Sequence, residues 1–177
     1  VAPYCPRCGT GLSDHELSQG YETIKDPSVY VRFPATSGKL AELKASLLVW
    51  TTTPWTLVSN TAVAVNPKIE YQVVEVVKEE KTERLVVASN LAAILGEERK
   101  VISTFSGAEL EHTKYAPPLD LVEIPDAHYI VLADYVTVED GTGLVHQSPA
   151  FGAEDFAACR KYGLPVVNPI AADGHFL

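Results

Sequence analysis

The chain has 177 residues, of which 46% are apolar and 21% charged, a balance that is typical of one folded domain and excludes disorder along its length. No apolar run approaches the roughly 20 residues that a membrane helix requires, and the N-terminus lacks a secretory signal pattern. We therefore expect a cytoplasmic protein that contacts no membrane. The formal charge of −9 repels phosphates and, taken alone, argues against nucleic acid as a partner.

The first predicted feature is a cysteine pair near the N-terminus. Cys5 and Cys8 have the Cys-x-x-Cys spacing that supplies two of the four ligands of a tetrahedral zinc site, but no second pair follows. A redox role is disfavoured because no β-α-β pattern surrounds the pair. Cys159 lies in a predicted helix, where we expect a small buried apolar side chain. Residues 1–25 are therefore predicted to be a stem-like segment with half of a zinc knuckle.

Short segments rich in Val, Ile, Leu and Tyr recur along the chain between Pro, Gly, Asn or Asp, and this pattern predicts β-strands. The predicted strands cover residues 29–34, 46–52, 62–65, 71–77, 84–88, 100–105 and 129–131, with 143–146 as a further one. The charged residues 78–82, between the fourth and fifth of these, predict a hairpin loop.

Two helices are predicted among these strands. Ser89 or Asn90 can cap a helix over residues 91–95 that ends at Gly96. Residues 153–162 carry acids in the first turn and bases in the last, which favours a second helix. Many strands with few helices predict a mostly β, α+β fold, in which a β-barrel or closed, curved sheet has helices packed on its ends.

The most unusual segment reads TTTPWTLVSN over residues 51–60, and we call it the threonine segment. Alternate side chains of a strand point to opposite faces, so Thr51 and Thr53 should share a face. Pro54 cannot donate to a sheet, so strand pairing should stop there and release the chain into a loop. The alternative is a threonine-rich edge strand whose hydroxyls bond water and whose Trp55 belongs to the core.

The second unusual segment reads GTGLVHQSPAFGAEDF over residues 141–156, and we call it the second segment. His146 is predicted at the end of a strand and Asp155 in the first turn of a helix. Side chains at such junctions can converge on one pocket, where a carboxylate could hold a substrate ammonium by charge-assisted hydrogen bonds. The alternatives are an Asp that only favours its helix dipole and a His that is exposed in a loop.

Together the two segments resemble the fingerprints of the editing domain that isoleucyl-, valyl- and leucyl-tRNA synthetases share. The valyl and leucyl members carry an Arg-Pro pair after their threonines and a Pro-Ala-His-Asp run later. This chain has Pro54 followed by Trp55, and it reads PAFG over residues 149–152, which resembles the isoleucyl type. The likeness covers the whole chain. The sequence contains no phosphate-binding glycine loop, His-Glu-x-x-His pair or Gly-x-Ser-x-Gly elbow.

The resemblance implies an aminoacyl-tRNA deacylase within an isoleucine–tRNA ligase, which hydrolyses valine wrongly attached to isoleucine tRNA, with valyl-adenylate as a second candidate substrate, and excludes isoleucine by size. A pocket discriminates one methylene by only about 1–3 kcal/mol, a magnitude for which the isoleucine–valine choice of these enzymes is itself the standard example. The implied partners are the 3′ end of the misacylated tRNA and its valine moiety, and the protein is expected to be a monomer. The rest of the enzyme would hold the RNA, which reconciles this partner with the acidic charge.

The resemblance also implies roles for individual residues. Asp155 would bind the α-ammonium group, and His146 would help to close the pocket against larger side chains. An oriented water and hydrogen bonds to the developing oxyanion would suffice for catalysis, because the ester is already activated. The catalytic residues implied are Thr51, Thr53 and Asp155. The substrate-binding residues implied are Thr51, Thr52, Thr53, Trp55, Asn60, His146, Phe151 and Asp155.

The chain contains no Met and opens at Val1, so we expect residues 26–177 to be an editing domain inserted in a larger synthetase. By resemblance, a partner for the Cys5 and Cys8 pair lies beyond the C-terminus. No cofactor is then expected in this segment alone, and zinc and ATP with Mg²⁺ would belong to the parent enzyme. Two alternatives stay open, namely a valyl-type domain that removes threonine, and a non-catalytic module that binds RNA or protein.

Overall fold

A computed structural model describes residues 3–78 and 80–177 of the chain, and β-strands dominate its regular structure. The expected mostly β fold with a few helices is confirmed. The strands are β1 (Tyr4–Cys5), β2 (Thr10–Gly11), β3 (Val29–Pro34), β4 (Ala45–Thr51), β5 (Ala62–Val65), β6 (Glu70–Lys78), β7 (Lys81–Ala88), β8 (Arg99–Ser106), β9 (Tyr129–Leu132) and β10 (Val145–Gln147). The α-helices are α1 (Asp14–Ser18), α2 (Gly38–Glu42) and α3 (Ala153–Lys161), and shorter 3₁₀ helices cover Pro54–Ser59, Ser89–Leu95 and Gly107–Leu110.

The largest sheet has the strand order β3-β4-β7-β6-β8, in which β4 and β7 run parallel and the other neighbours antiparallel. Its strand β6 is buried on both faces. Tyr71 and Val73 belong to the main core, whereas Val74 faces a second cluster on the opposite side. The 3₁₀ helix Ser89–Leu95 contributes Ala92 to that cluster. Adjacent valines of one strand therefore stabilise two different layers.

The smaller sheet has the order β10-β5-β9, with the fully buried strand β5 at its centre. Val63 and Val65 face the main core, whereas Ala62 and Ala64 pack in a cluster that includes Cys159 of α3. Burial raises the pKa of the Cys159 thiol to about 12, so the thiol stays protonated. As expected, Cys159 acts as a small buried apolar side chain.

Isolated bridges join the edges of these two sheets. Ala35, just after β3, pairs with Tyr115, and Lys114 pairs with Tyr129 at the start of β9. The segment before β9 thus connects the edges of the two sheets. In the described residues the sheets do not close into the barrel that the sequence predicted, and two separate sheets joined by bridges take its place.

The predicted strands are all found, with bounds shifted by a few residues, but some local predictions are wrong. The segment predicted as a helix over residues 91–95 belongs to a 3₁₀ helix, Ser89–Leu95, rather than to an α-helix. Its predicted cap is also wrong, since the Ser89 hydroxyl donates to a Glu70 carboxylate oxygen at 2.8 Å instead. β10 begins at Val145 rather than at 143, after a glycine with positive φ.

The loop between β6 and β7 is shorter than the predicted hairpin loop over residues 78–82. Lys78 pairs with Lys81 and Val77 with Thr82, so both strands continue into the predicted loop. Glu79, in the middle of that loop, lies outside the described residues.

The cysteine knuckle lies on the small hairpin that β1 and β2 form, just before α1. The backbone N–H of Cys8 donates to the Cys5 sulfur at 3.4 Å. Hydrogen bonds from Cys8 lower the pKa of the Cys5 thiol. In residues 3–78 and 80–177, no group of three or more His, Cys, Asp and Glu side chains is placed to hold a metal ion.

The helices of the same residues are too short or too polar to cross a membrane.

Candidate active site

The second segment contains β10, which pairs with β5, the strand that directly follows the threonine segment. His146 pairs with Val63 in antiparallel register, and the N–H of Thr61 donates to the Gln147 carbonyl at 2.9 Å. Buried side chains join the segments further, since the hydroxyls of Ser59 and Ser148 lie 2.7 Å apart. The two segments therefore form one continuous structure despite their distance in sequence.

The Gly-Thr-Gly turn positions β10. Gly141 and Gly143 both have positive φ, a conformation that costs other residues free energy. A β-carbon on Gly143 would lie 2.5 Å from that of Ala88. The carbonyls of Thr142 and Gly143 accept hydrogen bonds from the Ala88 N–H and the Tyr71 hydroxyl, both at 2.8 Å. The motif thus attaches the second segment to the large sheet.

Replacing Gly143 with alanine should therefore lower the free energy of unfolding by about 2–5 kcal/mol, the sum of left-handed strain and overpacking against Ala88. Gly163 is a matched control, because it also has positive φ but no atom lies within 4 Å of its would-be β-carbon. Gly163→Ala should cost only the strain, about 1–2 kcal/mol. Urea unfolding of both variants checks this, and equal losses would contradict the role of close packing.

A cleft of about 300 Å³ lies where the two segments meet. Thr53 and Asp155 both line it, as the editing hypothesis requires. Six of the eight predicted substrate-binding residues line this cleft, namely Thr51, Thr53, Trp55, His146, Phe151 and Asp155. The remaining lining residues are Trp50, Thr56, Val145, Ser148 and Gly152.

Asp155 is half-buried in the first turn of α3, and its carboxylate faces the cleft. One oxygen accepts a hydrogen bond from the Ser148 N–H at 2.8 Å. Burial raises the pKa of Asp155 above its usual value, although this hydrogen bond opposes the shift. No basic side chain in the described parts of the chain forms an ion pair with it. A cation that entered the cleft would find a desolvated carboxylate ready to pair with it.

His146 forms a buried wall of the cleft, with only 7% of its surface exposed. Its Nε2 lies 2.9 Å from the Thr56 hydroxyl, and its Nδ1 lies 2.8 Å from the Asn60 amide nitrogen. Burial lowers the pKa of His146 to about 4, so the ring is neutral at physiological pH. The alternative of a His exposed in a loop is therefore wrong.

Aromatic rings and threonine hydroxyls line the cleft beside these residues. The rings of Trp55 and Phe151 meet edge to face with centroids 4.7 Å apart, and Trp55 is 46% exposed. Trp55 is therefore not a core residue, contrary to the structural alternative. The Thr51 hydroxyl oxygen accepts from the Thr53 N–H at 3.1 Å and lies 3.3 Å from the Thr53 hydroxyl. Strand pairing ends at Thr51, earlier than the predicted stop at Pro54, and a 3₁₀ helix rather than a loop begins at Pro54.

The sequence as a whole was compared with known proteins. The family model of the leucyl-tRNA synthetase editing domain matches residues 29–176. The chain belongs to this editing-domain family. The isoleucine–tRNA ligases of Streptomyces coelicolor and Thermobifida fusca are each 64% identical to it over 179 residues, which cover 99% of this chain and 17% and 16% of those proteins. The editing domain thus spans about one sixth of the length of the curated relatives that it matches.

Solved structures show the same fold. The crystal structure of GlLeuRS-CP1 aligns with this editing domain at a TM-score of 0.61 and 21% identity, covering 79% of this chain and 66% of that one. The cytosolic leucyl-tRNA synthetase editing domain of P. knowlesi aligns at a TM-score of 0.61 and 15% identity, covering 76% of this chain and 62% of that one. At these identities the likeness supports the fold alone.

Two predicted site residues of the editing domain lie outside the cleft. Thr52 points to a neighbouring cleft of about 320 Å³, which shares Trp50, Thr51 and Val145 with the first. Asn60 is buried behind His146 and contacts its ring rather than the cleft. Sequence position alone placed both residues near the site, but only the fold decides which way each side chain points.

The sequence analysis missed other residues that shape the cleft of the editing domain. Thr56 and Ser148 lie inside the two fingerprints and contact His146 and Asp155 respectively. Gly152 lies against the Asp155 carboxylate, because a β-carbon there would be 2.8 Å from the carboxylate carbon. The sequence does carry one signal for Gly152. A glycine three residues before a helical Asp indicates that a side chain approaches the backbone closely.

Proposed function

We propose that this editing domain hydrolyses the ester of valyl-tRNA that an isoleucine–tRNA ligase forms in error. The observation that carries the proposal is the carboxylate of Asp155, which lies without a basic partner among the described residues in the cleft that Thr51, Thr53 and His146 also line. The isoleucine–tRNA ligase relatives, which match nearly the whole chain, support the isoleucyl type.

The α-ammonium group of the misattached amino acid pairs with Asp155 in this proposal. A charge-assisted hydrogen bond to an ammonium restores the solvation that the half-buried carboxylate has lost, and it favours the ionised form. The hydrogen bond from Ser148 orients the carboxylate before the substrate arrives. Asp155 thus places the α-carbon, and with it the ester carbonyl, at a defined position in the cleft.

The side chain of the amino acid then meets the buried ring of His146. A valine side chain is one methylene smaller than an isoleucine side chain, and a rigid wall excludes the larger one through overlap rather than through weaker attraction. Rejection by size is effective here because the synthetic site selects in the opposite direction, for the larger side chain.

Hydrolysis requires a water molecule held beside the ester carbonyl. The hydroxyls of Thr51 and Thr53 lie 3.3 Å apart in the lining of the cleft and can donate to the water or to the developing oxyanion without a change of charge. Water adds to the carbonyl carbon, the bond to the ribose oxygen breaks, and that oxygen takes up the proton. No side chain forms a covalent bond, which fits an ester that is already activated.

The terminal adenosine of the tRNA takes the neighbouring cleft, which Thr52 lines together with the Gly-Thr-Gly turn. The two clefts share Trp50, Thr51 and Val145, so an aminoacyl group and its adenosine can occupy them at the same time. The acidic domain meets only the 3′ end of the tRNA, as a monomeric unit in the cytoplasm, while the rest of the enzyme binds the polyanion.

The hydrolysis itself uses no cofactor in this proposal. Cys5 and Cys8 supply two thiolates, whereas tetrahedral zinc takes four ligands, so a second pair elsewhere in the parent enzyme would complete the site. ATP and Mg²⁺ belong to the synthetic reaction of that enzyme.

Deacylation assays with the full-length enzyme that carries this domain test the proposal. Valyl-tRNA should be hydrolysed at least about tenfold faster than isoleucyl-tRNA, whose extra methylene the cleft rejects by size, and than threonyl-tRNA, whose hydroxyl in place of a methyl the cleft leaves unpaired. Preference for threonyl-tRNA would instead establish the valyl-type alternative. If no ester is hydrolysed and a non-hydrolysable valyl-adenosine analogue does not bind near Asp155, the non-catalytic module is correct.

A further inference from the structure

A chain of buried hydrogen bonds runs behind the wall of the cleft. The Tyr115 hydroxyl donates to the amide oxygen of Asn60 at 2.7 Å. The Asn60 amide nitrogen lies 2.9 Å from the Ala62 carbonyl and 2.8 Å from His146 Nδ1. On the other side of the ring, Nε2 lies 2.9 Å from the hydroxyl of Thr56. Tyr115 itself is 3% exposed and does not line the cleft.

The residues in this series of hydrogen bonds can be protonated in only one arrangement. The Ala62 carbonyl can only accept, so the amide nitrogen of Asn60, not its oxygen, must face it; the reversed amide would place two oxygens 2.9 Å apart. The second amide hydrogen then points at His146 Nδ1, which must be unprotonated to accept it. The Tyr115 hydroxyl completes the set by donating to the amide oxygen, and burial raises the pKa of this phenol well above its usual value.

The proton of the neutral ring therefore lies on Nε2. It is donated to the Thr56 hydroxyl oxygen, and that hydroxyl passes its own hydrogen to the Thr53 carbonyl at 2.9 Å. Every donor and acceptor in this series of hydrogen bonds has a partner. The described residues contain no buried side-chain polar atom without a hydrogen-bond partner. Both ring nitrogens of His146 are thus occupied by the protein.

We infer that Tyr115 is a positioning residue, which orients the Asn60 amide and so holds His146 as the Nε2–H tautomer with no ring nitrogen free for the substrate. The inference rests on the proposed function and refines its substrate class. A wall without a free donor or acceptor accepts an aliphatic side chain and leaves a hydroxyl of the same size unpaired, so the cleft selects valine over threonine.

The tautomer is tested directly in the 177-residue chain labelled with nitrogen-15 histidine. A two-bond proton–nitrogen correlation spectrum at neutral pH should show His146 as a neutral ring protonated on Nε2, with His146→Gln identifying its signals among the five histidines. A ring that is protonated on Nδ1, or on both nitrogens, in the unsubstituted protein overturns the inference. This result does not depend on whether the domain hydrolyses any ester.

Tyr115→Phe tests the positioning role, because it removes one hydroxyl and keeps the ring. The Asn60 amide then loses the donor to its oxygen, and only the Ala62 carbonyl still opposes its reversal, so the spectrum should show a minor population of the Nδ1–H tautomer of His146. In the full-length enzyme, kcat for valyl-tRNA should fall about tenfold with little change in KM, and the ratio of threonyl-tRNA to valyl-tRNA hydrolysis should rise.

Tyr162→Phe is the matched control, because its hydroxyl donates to Glu111 at 2.6 Å, away from Asn60 and the cleft. It should leave the His146 signals and the ratio of the two esters unchanged. Tyr115→Phe overturns the inference if it behaves like this control in both measurements. Complete loss of hydrolysis in the unsubstituted enzyme would reject the proposed function, while the spectra would still decide the role of Tyr115.

Discussion

Replacing Asp155 with alanine in the full-length enzyme should reduce hydrolysis of valyl-tRNA by at least about 100-fold, because the variant loses the charge that places the α-ammonium group. The effect is large because the carboxylate is half-buried and has no basic partner among the described residues, so a bound ammonium would be its counter-ion. Single-turnover deacylation of valyl-tRNA measures the change. Activity at the parent level in Asp155→Ala would refute the role.

Asp134→Ala is a suitable control for charge alone. The Asp134 side chain is 78% exposed and pairs only with the exposed Lys68 among the described residues, so its loss should leave deacylation unchanged. Gly152→Ala is a second test variant. It keeps the Asp155 carboxylate but pushes the carboxylate away from its position. Gly152 has negative φ, so alanine brings little backbone strain. A variant that folds normally and loses activity would show that the position of the carboxylate matters as much as its presence.

Replacing His146 with alanine should let the domain hydrolyse correctly charged isoleucyl-tRNA, about 10- to 100-fold faster than the parent does. The ring is a buried wall of the cleft, and its removal creates space for at least the additional methylene of isoleucine. Deacylation of isoleucyl-tRNA by the full-length variant is the measurement. His112→Ala is the control, since its ring is exposed and lies outside this cleft.

The outcome for isoleucyl-tRNA separates a size filter from a purely structural residue. A structural role predicts lower hydrolysis of both esters together with a lower melting temperature. A size filter predicts that hydrolysis of isoleucyl-tRNA rises while that of valyl-tRNA persists. If His146→Ala spares isoleucyl-tRNA completely, another residue performs the size selection.

The elements that the sequence predicted well are those with a local signal. The strands follow alternating or paired apolar residues, and α3 follows its charged ends and the glycine after it. The two fingerprints placed Thr51, Thr53, His146 and Asp155 near one another because each fingerprint is long enough to be recognised as a unit. All four line the same cleft in the structure.

The features that could not be predicted depend on contacts between distant residues. Tyr115 lies 55 positions from Asn60, and no local pattern indicates that its hydroxyl reaches the amide. The parallel pairing of β4 with β7 and the bridge between Ala35 and Tyr115 are likewise set by the packing of the whole chain. For the same reason, the sequence placed Asn60 at the cleft, although its side chain lies behind the wall.

The two halves of the site come from parts of the chain that only the complete fold brings together. Thr56 and His146 are 90 positions apart, so the cleft exists only when β5, β9 and β10 have assembled and the whole intervening chain is in place. A copy in which either segment is still missing has neither the walls of the cleft nor the residues that line it in their places.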